Sequence, residues 1–189
     1  QGDQMRVLMT GCAGFIGSHL TERLLGLGHE VVGIDAFTDY YDRDQKASNL
    51  TIARDHERFT LIEDDLTTMD LHTLVPGIDL VYHQAAQPGV RASWGHNFET
   101  YARNNILATQ RLLEAFKGTE SEPGTILRKF VYASSSSVYG DAEGFPTSER
   151  AIPQPVSPYG VSKLSGEQLV YLYWRNYGLP TVSLRYFTV

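Results

Sequence analysis

The sequence predicts an α/β domain, a doubly wound parallel sheet with helices on both faces. Three observations predict it. Short apolar runs alternate with longer amphipathic stretches along the 189 residues, the order that feeds parallel strands through crossover helices. The first run is followed by Gly11, Gly14 and Gly17, so that strand, tight turn and helix follow one another directly. The second run ends on a carboxylate, Asp35, which lies 18 positions past Gly17.

Composition sets the bounds. With 42% hydrophobic and 20% charged residues the chain is long and apolar enough for one globular domain. A net charge of −6 without a Lys/Arg cluster argues against a nucleic-acid or anionic-membrane partner. The single cysteine, Cys12, excludes an internal disulfide and fits a reducing, cytoplasmic compartment. It reads as a small buried residue in the glycine turn. No apolar run reaches membrane-spanning length, and the N-terminus lacks the apolar core of a signal peptide. Gln1 to Gln4 precede the first methionine and read as an expression scar, so the domain is expected over 5–189. Six histidines show no metal-ligand spacing, and no metal is expected.

The first strand is Arg6–Thr10, followed by a helix over 14–27 with Phe15, Ile16, Leu20, Leu24 and Leu25 on its apolar side. Gly28 stands where a helix C-cap wants glycine. The second strand is Glu30–Asp35. The tyrosine-bearing stretch Phe37 to Asp42 leads into a helix over 43–54, and the third strand, Phe59–Glu63, closes on Asp64-Asp65-Leu66. A short helix over 69–75 ends at Pro76-Gly77. The fourth strand, 79–83, runs into Gln84-Ala85-Ala86-Gln87, where small residues let a ligand approach the backbone. A long helix is expected over 98–117, with Ile106, Leu107, Leu112, Leu113 and Phe116 as its core face. Asn104 and Asn105 cost that helix propensity, which suggests a hydrogen-bonding duty unless they lie on the surface. A polar, mobile loop over 118–124 precedes the fifth strand, 127–133, which flows into Ser134-Ser135-Ser136-Ser137-Val138-Tyr139-Gly140. A proline-bearing ordered loop leads to a helix over Pro158–Tyr177, with Pro158 in its first turn, and to a sixth strand, Thr181–Tyr186. Tyr171, Tyr173, Trp174 and Tyr177 crowd the helix end, either as core or as a helix-pair dimer face.

Chemistry follows from placement. Gly11 permits the turn, Gly14 lets the backbone approach a pyrophosphate, and Gly17 lets the helix sit close on the sheet. Asp35 is in register to accept hydrogen bonds from an adenosine ribose, although a lone aspartate can also be a loop cap. Its charge would repel a 2′-phosphate and no arginine directly follows it, so NAD is expected over NADP. Asp65 is either a turn former or a residue facing the adenine. Tyr159 and Lys163 lie four apart and so share one helix face. A cation beside a phenol favours the phenolate and makes an acid/base that works near neutral pH. The serine run after the fifth strand supplies a hydroxyl to hold a substrate oxygen. Each signal alone is weak, since turns collect glycines and helix surfaces collect Tyr/Lys pairs. In this order and on these elements they reinforce one another.

The segments Thr10 to Leu20, Ser134 to Gly140, Tyr159 to Lys163 and Arg185-Tyr186-Phe187 resemble the motifs of extended short-chain dehydrogenases/reductases, which have a Rossmann-like fold. Within that family the chain is most similar to nucleotide-sugar 4-epimerases. Asp39 to Asp42, Ala85 to Arg91 and Arg185 to Val189 resemble the UDP-glucuronate 4-epimerase branch. The resemblance implies a catalytic trio of Ser135, Tyr159 and Lys163. It implies NAD contacts from Gly11, Gly14, Phe15, Ile16, Gly17, Asp35, Asp65, Leu66, Gln84, Ala85, Ala86, Gln87, Asn104, Tyr159, Lys163 and Phe187. Arg91, Ser135, Ser136, Ser137, Tyr159 and Thr188 would contact a UDP-sugar, the serines and Thr188 restraining a uronate carboxylate. Dehydratases and decarboxylases of this family carry acids where this chain has Ser136-Ser137, so epimerisation is implied. A homodimer is implied too, as is a C-terminal lobe past Val189 that grips the nucleotide diphosphate. UDP-glucose epimerisation, UDP-glucuronate decarboxylation and NAD sensing without turnover stand as alternatives.

Overall fold

A computed structural model describes residues 3–119, 126–142 and 144–189. Six parallel strands form one sheet: β1 (Arg6–Thr10), β2 (Glu30–Asp35), β3 (Phe59–Glu63), β4 (Leu80–His83), β5 (Lys129–Ser135) and β6 (Thr181–Tyr186). Their order is β3-β2-β1-β4-β5-β6. The order reverses between β1 and β4, and in such sheets the crevice beyond the carboxyl ends at that point is where ligands bind. In register, Thr10 faces Ile34 on one side and His83 on the other, which brings the ends of β2, β1 and β4 to one rim.

Alternation along β1 builds a core on each face. Val7 and Met9 join Val31, Leu24, Leu25, Leu50 and Ala53 on one side. Leu8 joins Ile34, Val81, Phe130, Leu112, Leu113, Phe116 and Val170 on the other. The first core is covered by α1 (Phe15–Gly26), α2 (Arg43–Asn49) and α3 (Thr51–Arg54), the second by α5 (Ala108–Phe116) and α6 (Pro158–Tyr177). Burying β-branched and aromatic strands on both faces is what holds a parallel sheet together.

Several expected elements differ in detail. The helix over 43–54 breaks at Leu50, whose fully buried side chain anchors the join between α2 and α3. The helix over 69–75 shrinks to a 3₁₀ turn, Leu71–Leu74, which starts at Asp70, whose side chain accepts from the His72 N–H. The helix over 98–117 is a composite of α4 (Phe98–Tyr101), a π-helical stretch (Ala102–Leu107) and α5. Buried Asn105 lies in the π stretch, and Leu107, expected in the core, is exposed. Phe15, expected on the apolar side of α1, is exposed, and α1 buries Gly17, Ser18, Thr21, Leu24 and Leu25 instead. Strand β5 runs on to Ser135, so two of the four serines belong to the sheet. The polar loop 118–124 lies largely outside the described residues, as do residues 1 and 2 of the expected scar. Among the described residues no helix is long and apolar enough to cross a membrane.

Candidate active site

A cavity of about 410 Å³ opens at the carboxyl end of the sheet, over the switch between β1 and β4. The glycine turn, Phe15, Ile16 and Asp35 line it together with Asp65, Leu66, Gln84, Ala85, Ala86, Asn104, Ser135, Tyr159, Lys163 and Phe187. The fold thus gathers residues spread from position 11 to position 187 around one space.

The turn is built by steric demand. Gly11 has φ +69°, and a Cβ there would sit 2.7 Å from the Ala85 nitrogen. A Cβ on Gly17 would sit 2.1 Å from the Gly11 carbonyl oxygen, so Gly17 lets α1 start against the loop itself rather than against the sheet as expected. No side chain caps the first turn of α1, which leaves its N–H groups and dipole for an anion. Buried Cys12 packs beneath the turn, where burial pushes its thiol up and keeps it inert.

Asp35 is held from three directions. Its Oδ2 accepts from the Ala13 N–H at 3.1 Å, and its Oδ1 accepts from the Phe37 N–H at 2.8 Å. Lys46 of α2 completes the set, with Nζ 3.2 Å from Oδ1. Sequence reasoning missed Lys46, because a lysine in a short polar helix reads as solvated, yet it is buried and lines the cavity. The cation thus pairs the charge on which the argument against a 2′-phosphate relied. Asp65 is both turn former and cavity wall. Its Oδ1 accepts from the Thr67 N–H and hydroxyl at 2.8 and 2.7 Å, and its Oδ2 accepts from Arg103 at 2.8 Å. Burial pushes its carboxyl up, but Thr67 and Arg103 outweigh that and hold it below the usual value.

At the other end stand Ser135, Tyr159 and Lys163. The Ser135 hydroxyl accepts from the Ser137 N–H at 3.1 Å, which leaves its hydrogen free to point at the Tyr159 phenol. Burial raises the Tyr159 phenol, the Ser135 hydrogen bond lowers it, and Tyr101 and Tyr40 raise it further. Lys163, expected to lower the phenol, is itself buried. Its ammonium lies over the Tyr132 ring at 4.8 Å, and burial pulls it down to about 8 against the pull of Glu167.

A buried relay braces the site from below. Thr109 Oγ1 donates to the Asn105 carbonyl at 2.8 Å, so it accepts from His83 Nε2 at 2.9 Å. His83 Nδ1 is then the acceptor from Thr10 Oγ1 at 2.7 Å, and Thr10 accepts from the Ala85 N–H at 3.1 Å. Burial holds His83 down at about 3, so it stays neutral in this tautomer. Asn105 Nδ2 donates to Ser162 Oγ at 2.9 Å, and that hydroxyl donates to the Tyr159 carbonyl at 2.7 Å. The glycine turn and the Tyr159 helix are therefore tied to one polar chain.

Five expected contacts do not line the cavity. The Gln87 N–H and carbonyl are taken up by Asn105 at 2.6 and 3.1 Å. Ser136 and Ser137 stand in a 3₁₀ turn, Ser136–Val138, just past the end of β5. Arg91 and Thr188 are exposed. Tyr40 and Tyr41, in the segment marked by its family resemblance but given no role, also line the cavity. Among the described residues no three His, Cys, Asp or Glu side chains gather as metal ligands.

The model of the family described as GDP-mannose 4,6 dehydratase matches residues 8–189. The chain belongs to that family. It is a nucleotide-sugar epimerase/dehydratase family of the extended short-chain dehydrogenase/reductase type. A Bacillus subtilis protein named as an uncharacterized UDP-glucose epimerase is 48% identical over 98% of this chain and 57% of its own length. UDP-glucuronate 4-epimerase 2 of Arabidopsis thaliana is 38% identical over 97% of this chain and 42% of its own. The crystal structure of the Bacillus cereus UDP-glucuronic acid 4-epimerase, in complex with UDP-glucuronic acid and NAD, superposes with a TM-score of 0.91 at 48% identity. That match covers 97% of this chain and 57% of the solved one. The chain spans about half the length of the relatives it matches.

Proposed function

We propose that residues 5–189 form the NAD-binding domain of a UDP-sugar 4-epimerase, acting on UDP-glucuronate and UDP-galacturonate through a 4-keto sugar. One observation carries the reading: a single cavity joins the glycine turn and Asp35 at one end to Ser135, Tyr159 and Lys163 at the other. The residues fit NAD. The uncapped start of α1 suits the diphosphate, Asp35 and Lys46 suit the adenosine ribose, and Leu66 with Asp65 suits the adenine. Held there, NAD would supply reversible hydride transfer at the sugar C4.

The chain's own residues manage the proton and the position. Tyr159 takes the proton from the sugar O4 and later gives it back. Ser135 donates to that same oxygen and holds it beside the phenol. Accepting that proton requires the Tyr159 phenolate, which burial disfavours and the Ser135 hydrogen bond favours. Lys163, held down to about 8 by burial, still carries its charge at neutral pH, one helical turn from the phenol. The uronate is favoured by the solved relative named for it, and the neutral sugar is the second reading because of the relative named as a UDP-glucose epimerase. The same reading takes the protein as a cytoplasmic homodimer. Exposed Tyr171, Leu172 and Trp174 on α6 support a dimer, and one buried cysteine suits a reducing compartment.

Product analysis with UDP-glucuronate and UDP-glucose side by side tests the proposal, on a protein that carries this chain at its relatives' full length. UDP-galacturonate should form without net NADH. Exchange of the neutral sugars alone points to the second reading, and pentose product or released NADH overturns epimerisation. Tyr159→Phe should lower turnover at least ~10³-fold while NAD binding stays near wild type.

A further inference from the structure

The adenosine end of the cavity holds a buried ion pair. Lys46 is 5% exposed and Asp35 is 8% exposed, with Nζ 3.2 Å from Oδ1. Oδ1 also accepts from the Phe37 N–H, and Oδ2 accepts from the Ala13 N–H. Three of the roughly four acceptor sites of the carboxylate are thus spent before any ligand arrives, and the free one is on Oδ2. The ammonium has three donors, of which Asp35 uses one. A second cation stands nearby, since Arg43 lies over the Phe37 ring at 4.9 Å, with Lys46 over the same ring at 5.8 Å. Arg43 is itself paired with Glu63 at 2.5 Å in an exposed bridge.

A lone carboxylate here would accept both ribose hydroxyls and repel a 2′-phosphate. The pair in this cavity is close to neutral and, among the described residues, carries one free acceptor and offers two free N–H donors. We propose that Lys46 is the residue that sets how far the cavity prefers NAD over its 2′-phosphorylated form. It cancels the repulsion from Asp35 and presents a buried cation where the extra phosphate would lie. The inference deepens the proposed NAD site and depends on it.

Titration calorimetry of this chain with NAD and with NADP, at low and high salt, tests it. In wild type, added salt weakens NADP binding more than NAD binding. Lys46→Met keeps the stem and removes the charge, and it should widen the NAD/NADP affinity ratio by about tenfold, the scale of one partly buried charge pair. Lys46→Gln should widen it likewise, and Asp35→Asn should narrow it. Circular dichroism melts identify a variant that fails to fold, and the other two then decide. An unchanged ratio in the folded lysine variants, with NAD still bound, overturns this proposal alone. Failure of wild type to bind either dinucleotide overturns the cavity reading as well.

Discussion

Lys163 shows how a residue's burial can oppose its partnership. Its ammonium is enclosed, with Tyr132 beneath it, Glu167 one turn along α6, and neutral His83 close enough to feel its charge. Desolvation wins and lowers it from 10.5 to about 8. The folded state therefore binds fewer protons than the unfolded state between pH 8 and 10.5, and stability rises with pH across that window. Below it the buried charge costs on the order of 3 kcal/mol. Lys163→Met should be more stable than wild type at pH 7, and the gap should close as pH rises from 8 toward 10. Denaturant melts at several pH values check this, and parallel curves would refute it. Sequence identified Lys163 and Tyr159 as a pair from their four-residue spacing. It could not weigh burial against charge, because neither quantity exists before the chain closes around them.

Helix α6 is placed by an ion pair as much as by its apolar face. Glu167 accepts from Arg185 Nε and Nη2, both at 2.9 Å, and from Ser134 Oγ at 2.5 Å, which joins α6 to β5 and β6. Arg185 also stacks over Tyr139 at 4.6 Å, beside the turn that follows Ser135. Removing Arg185 leaves a buried carboxylate unpaired, so Arg185→Met should cost ~3–5 kcal/mol. The double variant Glu167→Gln/Arg185→Met should recover part of that loss. Urea unfolding of the four proteins measures it, and strictly additive losses would sink the argument. Elements with a strong local signal were legible to the residue. Strands β1, β2, β3 and β6 and helix α6, with Ser157 capping and Pro158 in the first turn, fall where apolar runs and turn chemistry put them. The π stretch over Ala102–Leu107 was not legible. It accompanies hydrogen bonds from Asn105 to Gln87 and Ser162, partners 18 and 57 residues away.

For the whole molecule, the cavity at the sheet switch couples both cores to one ligand. A dinucleotide spanning it would touch residues from the glycine turn, Asp65 and α6 at once, and binding to the folded state alone stabilises that state. NAD at about 100 times its dissociation constant should add ~2.7 kcal/mol and raise the melting temperature by roughly 5–10 °C. Differential scanning calorimetry with and without NAD reads this, and no shift would refute the placement. Ser135 was singled out from its serine run by the family resemblance. By itself the sequence determined the parallel α/β class, the strand–turn–helix at Gly11 to Gly17, the carboxylate that ends β2 and the Tyr159/Lys163 pair. These are written in local periodicity and in spacings of a few residues. Tertiary structure alone decided that Lys46 pairs with Asp35, that His83 joins Thr10 to Thr109, and that Gln87, Arg91, Ser136, Ser137 and Thr188 stay off the cavity wall. Contacts between distant residues depend on how helices settle on the sheet, and that is set by the packing of both cores together.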